Sequence, residues 1–282
     1  MRAGSSMRSE GLRTRTFGKV RVFVQEPDAI PEPFTYIDYA GVVTRIVDAL
    51  REDDEPYPPM AVCLRGPSGV GKTAAAWAAT KALKTECYTT QGATDCTAQD
   101  LVVFPVPTNL NRFDPVASGI CTAGIEGRLA LFDEIGKVAR YAPEALTPLA
   151  AMLDDRRTLW SDFLKMPFRV RQGFGFICTA QNNEILPDYV TRRMLTFTIP
   201  PPPPAVLLEI MKVKLPAAPG LLMEAFRDWA SLQTGLTPRD AGLIIHFAFR
   251  RARVRGSALS GWDADGLVRE AAEAVCGEGE EP

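Results

Sequence analysis

The sequence predicts an α/β protein: a parallel β-sheet covered by helices on both faces, followed by a small all-helical domain. First, apolar runs of strand length alternate with helical segments, which is typical of a buried parallel sheet. Second, the proline run from Pro200 to Pro204 ends this alternation. Third, the patterns after that run are all helical. We therefore expect residues 17–200 to form the large domain and residues 201–275 the helical one.

The individual elements follow from local patterns of hydrophobicity. Apolar runs bounded by turn residues predict buried strands, and apolar spacing of three to four residues predicts helices. Strands are expected at 20–24, 60–66, 129–134, 173–183 and 194–199. Helices are expected at 39–50, 73–83 and 143–155, and throughout the region after the prolines.

Composition excludes several classes of protein. The 282 residues are 46% hydrophobic with a net charge of -2, so no overall basic field indicates nucleic acid as the partner. No apolar run approaches the roughly 20 residues of a membrane helix, so we expect no membrane insertion. The six cysteines form no C-x-x-C pair, which disfavours a zinc site and, without a secretory signal, indicates a cytoplasmic protein. Disordered ends are expected at residues 1–16 and 276–282.

A glycine-rich loop between a predicted strand and a predicted helix matches G-x-x-x-x-G-K-[ST]. Its residues are Gly66, Pro67, Ser68, Gly69, Val70, Gly71, Lys72 and Thr73. Glycines let backbone N–H groups turn toward phosphate oxygens, and the following helix adds its positive N-terminal dipole. Lys72 is expected to reach the β- and γ-phosphates, and Thr73 to bind Mg²⁺. The alternative is a glycine turn that carries a lysine by chance.

Two carboxylates end the strand predicted at 129–134. Strand ends of a parallel sheet lie beside such a loop, so Asp133 can hold Mg²⁺ and Glu134 can polarise a water that attacks the γ-phosphate. Without the loop, this pattern would indicate only a solvated strand end.

Other polar residues occur at positions where they could assist phosphoryl transfer. Asn182 and Asn183 follow the third strand and could orient the attacking water, or could form an Asx turn. Arg192 and Arg193 could stabilise transferred charge, often from a neighbouring subunit, or could be surface charges. Arg239, at the start of the last long helix, could contact the nucleotide or could serve only as a structural charge at the start of that helix.

The order of these motifs resembles that of AAA+ ATPases, within them the MoxR/CbbQ-like branch. The similarity spans residues 36–256 and rests on five strings: RGPSGVGKT, LALFDEIGKVARYAPEALTPLAAMLDDRR, FICTAQNN, LPDYVTRRM and GLTPRDAGLII. The resemblance implies ATP as the nucleotide, since the loop itself reads phosphates and not the base.

The resemblance also implies a role for each matching residue. Lys72 and Thr73 correspond to Walker A, and Asp133 and Glu134 to Walker B, with Glu134 as catalytic base. Asn182 corresponds to sensor 1 and Arg239 to sensor 2. Arg193 corresponds to the arginine finger, with Arg192 as its rival.

Two insertions and two departures accompany the resemblance. Residues 101–121 and 157–172 are expected to form hairpins that face a ring pore or a partner. Their candidate exposed aromatics are Phe104, Phe113, Phe163 and Phe168, which could instead pack on their own domain. Met194 replaces the phenylalanine that usually follows the finger. The segment after Glu134 reads I-G-K, where the family favours I-N-R, so Lys137 and Arg140 are the candidates to replace that arginine.

The resemblance implies an ATP- and Mg²⁺-dependent ring, expected to be a hexamer, that remodels a separate protein partner. A nucleic-acid motor is the second hypothesis, motivated by the basic segment Phe249–Arg255. A nucleotide-gated scaffold is the third. His246, the only histidine, has no partner for metal binding or a triad and receives no catalytic role.

Overall fold

The computed structural model describes residues 13–32, 34–51, 61–109, 112–255 and 261–277. The chain divides into two compact units. The first unit comprises residues up to Phe34, Val43–Arg65 and Thr73–Phe197. The second unit comprises Thr35–Val42, Gly66–Lys72 and the residues from Thr198 onward. The phosphate loop therefore groups with the helical residues rather than with the sheet, which differs from the expected division near residue 200.

The elements are numbered in chain order. The strands are β1 (Arg13–Phe17), β2 (Val20–Val24), β3 (Ala61–Arg65), β4 (Cys87–Gln91), β5 (Val103–Asn109), β6 (Arg112–Ala117), β7 (Leu129–Asp133), β8 (Thr158–Ser161), β9 (Met166–Arg169), β10 (Gly175–Ala180) and β11 (Leu195–Thr198). The helices are α1 (Val42–Leu50), α2 (Lys72–Leu83), α3 (Gly119–Glu126), α4 (Ile135–Tyr141), α5 (Thr147–Met152), α6 (Asp188–Thr191), α7 (Pro204–Lys214), α8 (Gly220–Ala230), α9 (Pro238–Arg255) and α10 (Gly261–Cys276).

A five-stranded sheet with the order β11-β3-β10-β7-β4 forms the centre of the α/β region. β10 pairs in parallel with β3 and with β7, and β4 pairs in parallel with β7. All six residues of β10 and the first four of β3 and β7 are buried, as expected for strands covered on both faces. The predicted α/β fold is confirmed. The carboxyl ends of β4, β7 and β10 meet at one edge of this sheet.

A second sheet, with the order β1-β2-β6-β5, includes residues expected to be disordered. Residues 13–16 belong to β1, so the expected leader is wrong for them, and residues 1–12 lie outside the described ranges. Arg15 donates two hydrogen bonds, of 2.8 and 2.9 Å, to the carboxylate of Glu126. Arg13 donates to the Tyr88 hydroxyl at 2.9 Å. These contacts attach β1 to residues that lie far along the sequence.

Both expected hairpins are present, as β5–β6 and β8–β9. Phe168, however, is buried and packs edge-to-face on Phe17, with ring centroids 4.9 Å apart, so it is not an exposed aromatic. Phe104 is half-buried. Phe113 and Phe163 are exposed, and so is Trp160, which the sequence analysis did not select.

Helices α7 to α10 dominate the second unit and share one apolar core, centred on Phe226, Ile244 and Val268. α9 begins with a capping box: Thr237 Oγ1 accepts the Asp240 N–H at 3.3 Å, and the Asp240 carboxylate accepts the Thr237 N–H at 3.3 Å. This box fixes the start of the helix that carries Arg239. The expected disordered tail begins one residue too early, because Cys276 is still helical.

Two further details refine the expected elements. The helix expected at 143–155 is a short 3₁₀ turn, Pro143–Leu146, followed by α5. No helix within the described ranges is long and apolar enough to cross a membrane.

Candidate functional site

The phosphate-loop residues Gly66–Lys72 lie in the second unit, where they pass close to α9. Gly69 and Gly71 have φ angles of +78° and +100°, a conformation that favours glycine. A Cβ atom on Gly69 would lie 2.5 Å from Cβ of Arg239 and 2.9 Å from Oγ1 of Thr237. The loop can therefore approach the start of α9 only because residue 69 has no side chain.

Two cations point toward this loop. Lys72 Nζ donates hydrogen bonds to the carbonyl oxygens of Gly66 and Pro67, at 2.8 and 2.7 Å. Arg239 Nη1 lies 3.4 Å from Ser68 Oγ. The structure thus brings Arg239 to the loop, although the two are about 170 residues apart in sequence. Lysine and arginine are the side chains that bind phosphate oxygens, so the loop is equipped for an anion.

Tyr36 is a neighbour of the loop that the sequence analysis missed. Its Cε2 atom lies 3.6 Å from the position that a Cβ on Gly71 would take. Its hydroxyl is buried and has no hydrogen-bond partner among the described residues. Burial raises the pKa of Tyr36, which keeps the hydroxyl neutral. Because an unsatisfied buried hydroxyl is costly, this side chain suits a polar ligand beside the loop.

The first unit contains the expected magnesium-binding pair. Thr73 Oγ1 lies 3.1 Å from each carboxylate oxygen of Asp133, to which it donates. Thr179, in β10, donates to Asp133 Oδ1 at 2.5 Å. Asp133 at the end of β7 is therefore held by hydroxyl groups from α2 and β10.

These oxygen atoms fit Mg²⁺, which prefers hard oxygen ligands and is usually held by one or two carboxylates together with substrate phosphates. Within the described ranges, no group of three or more His, Cys, Asp or Glu residues could hold a metal on its own. The donor set of Thr73 and Asp133 therefore suits a cation that arrives with a nucleotide.

Glu134 follows Asp133 but has a different environment. Its φ of +58° places it in the left-handed region, and its N–H donates to Thr179 Oγ1 at 2.8 Å. Its carboxylate accepts a hydrogen bond from Gln91 Nε2 at 2.8 Å and forms an ion pair with Lys137. The bond from Lys137 to Glu134 raises the pKa of the lysine. Sequence reasoning selected neither Thr179 nor Gln91.

Asn182 and Asn183 lie in an exposed turn after β10. The Glu184 carboxylate accepts the Gln181 N–H at 2.6 Å, and Arg65 donates to the Glu184 carbonyl at 2.8 Å. These bonds fix the turn in which Asn182 lies. The residue of β10 that hydrogen-bonds to Asp133 is Thr179.

Arg192 and Arg193 follow α6 and contact residues other than Asp133 and Glu134. Arg193 lies 3.4 Å from Asp154, also donates to the Tyr189 carbonyl, and is 30% exposed. Arg192 pairs with Asp188 at 3.4 Å and is 79% exposed. Arg192 is therefore the more available of the two for a contact outside its own chain.

Comparison with known proteins now adds to this geometry. Residues 61–191 match the family model of the AAA domain, dynein-related subfamily. This region is similar to AAA domains. The match includes the phosphate loop and ends at residue 191. Arg192, Arg193 and Arg239 therefore lie outside it. No curated protein matches the chain.

The chain has an AAA+ P-loop fold, with a parallel sheet flanked by helices. In all, 1079 chains of solved structures match, so the fold is widespread and does not by itself assign a function. One of them is a proline-to-glycine mutant of RuvB from Thermotoga maritima, with a TM-score of 0.54 and 19% identity. The match covers 82% of this chain and 67% of that chain. At this identity the similarity concerns the fold alone. The glycine-rich loop, with Lys72 and Arg239 beside it, is the part of the chain suited to binding phosphate.

Proposed function

We propose that the protein is a Mg²⁺-dependent ATPase that works as a ring and acts on a protein partner. The observation that carries this proposal is the set of bonds from Thr73 and Thr179 to Asp133. These bonds place hard oxygen ligands at the end of β7. Thr73, which contacts Asp133, directly follows Lys72 in the loop motif.

Binding of ATP would use the loop and its cations. Backbone N–H groups of the loop and Lys72 would contact the phosphates, and Arg239 would approach from the start of α9. Thr73 and Asp133 would hold Mg²⁺, which when bound neutralises phosphate charge. Lys72 would exchange its bonds to the Gly66 and Pro67 carbonyls for bonds to phosphate oxygens.

Hydrolysis would use Glu134 as the general base for the attacking water. The Thr179 hydroxyl orients both acidic residues: it accepts the N–H of Glu134 and donates to the carboxylate of Asp133. Asn182, in the turn that follows, would help to position the water. In this structure the Glu134 carboxylate is bonded to Gln91 and Lys137, so it must leave at least one of them to act.

The positive charge needed at the γ-phosphate would come from a neighbouring subunit. Arg192 and Arg193 contact Asp188 and Asp154 in their own chain, and a ring of head-to-tail subunits would bring them to the next site. The MoxR/CbbQ-like resemblance supports such a ring and a hexamer. Exposure favours Arg192 as the finger, whereas the family pattern favours Arg193.

A protein partner is favoured over nucleic acid by the contacts of the basic segment. Arg251 binds Glu270 of α10, and Arg253 lies 6.0 Å from the ring centroid of Phe249. These two arginines serve contacts within the helical unit. In contrast, exposed aromatics on the hairpins, Phe113, Trp160 and Phe163, are side chains typical of protein interfaces.

The proposal is tested by steady-state ATP hydrolysis over a wide range of protein concentration, with mass photometry on the same samples. Glu134→Gln serves as the blank, and GTP is measured in parallel. We expect turnover per chain to rise as large oligomers appear. Turnover that is constant per chain in a protein that stays monomeric would contradict the shared site. Turnover by Glu134→Gln equal to that of the wild type would contradict the assignment of the base.

A further inference from the structure

Two buried cysteines lie side by side in the five-stranded sheet. Cys63 of β3 and Cys178 of β10 are direct partners in the parallel register, and they are 1% and 0% exposed. Neighbouring strands lie about 4.8 Å apart, and partner residues place their side chains on the same face of the sheet. Neither cysteine forms a disulfide. The proposed ATPase reaction uses neither thiol, so it leaves this pair without a role.

A third sulfur lies against the pair. Cys178 Sγ is 3.6 Å from Sδ of Met194, the residue that departs from the family pattern after the two arginines. The bond from zinc to a cysteine sulfur is about 2.3 Å long, and two sulfurs that share an ion through bonds of this length lie at most about 4.6 Å apart. Cys178 and Met194 satisfy that limit. Met194 is only partly buried, so it is the side chain through which an ion can reach the buried thiols.

Arg65 supplies a positive charge beside the two thiols. It lies two residues after Cys63 on β3, and side chains two residues apart lie on the same face of a strand. A hydrogen bond from Cys178 and, to a smaller extent, the charge of Arg65 lower the pKa of the Cys63 thiol against the opposing effect of burial. A lowered pKa favours the thiolate, which is the form of cysteine that binds metal ions.

We propose that Cys63, Cys178 and Met194 form a binding site for one soft monovalent metal ion, Cu(I). Thiolate and thioether sulfurs favour Cu(I), whereas carboxylate oxygens favour Mg²⁺, so this ion would not compete for the proposed magnesium site. Only two of the three ligands are cysteines, which agrees with the lack of any group of three or more His, Cys, Asp or Glu ligands in the described ranges. Binding would join β3 to β10 just before the phosphate loop and Thr179.

The charges of the site balance when the ion is bound. Burial raises the pKa of Cys178, so the proton of this thiol leaves only when the metal binds. Metal binding would release the protons of both thiols to solvent. Cu(I) and two thiolates together carry one negative charge, and the Arg65 guanidinium offsets it.

The test measures Cu(I) binding to the full-length protein without nucleotide, under anaerobic reducing conditions, in competition with a chromophoric Cu(I) chelator. Cys96→Ser/Cys276→Ser is the background for every protein, because these two thiols are the less buried ones. We expect one tightly bound ion per chain and a higher melting temperature, because the ion binds the folded state. Zn²⁺, which favours four ligands in a tetrahedron, should bind more weakly.

Three variants test the three ligands. Cys63→Ala and Cys178→Ala should each weaken Cu(I) binding more than about 100-fold, since losing a ligand costs more than losing a contact that supports one. Met194→Leu keeps a side chain of similar volume and should weaken binding about tenfold, because it removes only the thioether. The matched control is Cys121→Ala. Cys121 is also 0% exposed but lies in α3, so its loss should leave the affinity unchanged.

Melting temperatures without metal establish that each variant folds, and Met194→Leu decides alone if an alanine variant does not. Less than one ion per chain in the background protein, or unchanged affinity in any folded variant of the three ligands, would overturn the inference. Zn²⁺ bound as tightly as Cu(I) would contradict the assignment to a soft ion. Because binding is measured without ATP, the result does not depend on whether the chain hydrolyses nucleotide.

Discussion

The carboxyl edge of the five-stranded sheet and the segment after α6 differ in how completely their side chains are arranged for the proposed reaction. At the sheet edge, Thr73 and Thr179 already donate to Asp133. After α6, Arg192 and Arg193 are directed to Asp188 and Asp154. The residues of the proposed metal site are thus organised within one chain, whereas the arginines form weak contacts with Asp188 and Asp154. Under the proposed function, assembly rather than folding would complete the site.

The energetic difference between the two regions has a simple origin. Thr179 is buried, and hydrogen bonds from buried hydroxyls to a carboxylate are costly to break. Arg192 and Asp188 are both largely exposed, so their ion pair contributes about 0–1 kcal/mol and is readily exchanged for another acceptor.

The largest effect is expected from removing both arginines. Arg192→Ala/Arg193→Ala should lower turnover about 10³-fold while ATP binding persists, because an arginine finger acts mainly on the transition state. Turnover and equilibrium binding are measured separately, and the control is Arg128→Ala, because Arg128 is also ion-paired and its 48% exposure lies between those of Arg193 and Arg192. The single variants assign the finger. Near-normal turnover of the double variant would contradict the proposal that these arginines complete the site.

Glu134→Gln should lower turnover about 10²-fold, since a general base contributes at least that much. The amide keeps the shape of the side chain, so ATP affinity and the melting temperature should stay close to those of the wild type. Single-turnover hydrolysis measures the effect. Retained turnover would show that another group accepts the proton from water.

Thr179→Val should lower turnover about tenfold and destabilise the fold by about 1–2 kcal/mol, because the Asp133 carboxylate and the Glu134 N–H each lose a partner. Denaturant unfolding and turnover are both measured. Thr122→Val is the control, because Thr122 is equally buried but accepts its hydrogen bond from Gln25. It should lose stability and keep turnover, and equal losses of turnover in both variants would refute a specific role for Thr179.

The smallest effect is expected at Arg239, whose contact with Ser68 is long and exposed. Arg239→Ala should weaken ATP binding about fivefold, as expected for one exposed charged contact. Titration calorimetry compares it with Arg227→Ala, an exposed arginine of α8 that pairs with Asp228. Unchanged affinity in Arg239→Ala would show that the arginine serves only the start of α9.

Local patterns in the sequence predicted the α/β fold and selected Thr73 and Asp133, which the structure brings into contact. The phosphate loop and the carboxylates of β7 are each encoded by a few consecutive residues, so their spacing is visible in sequence. The apolar runs of β3, β7 and β10 show burial on both faces directly.

Contacts set by strand register could not be predicted in this way. Cys178 of β10 pairs with Phe132 of β7, which brings the following residues, Thr179 and Asp133, side by side. Nothing local in the sequence indicates that register. The same holds for β1, whose alternating arginines and threonines lack an apolar pattern and depend on Glu126 and Tyr88.

The central claim, a site shared between subunits, is tested most directly by mixing two inactive proteins. Glu134→Gln lacks the base and keeps the arginines, whereas Arg192→Ala/Arg193→Ala keeps the base and lacks the arginines. In mixed rings, roughly a quarter of the interfaces would combine an intact base with intact arginines. The account predicts that mixing equal amounts restores turnover well above that of either protein alone. Turnover that stays at the sum of the two separate proteins, in mixed oligomers of normal size, would contradict it.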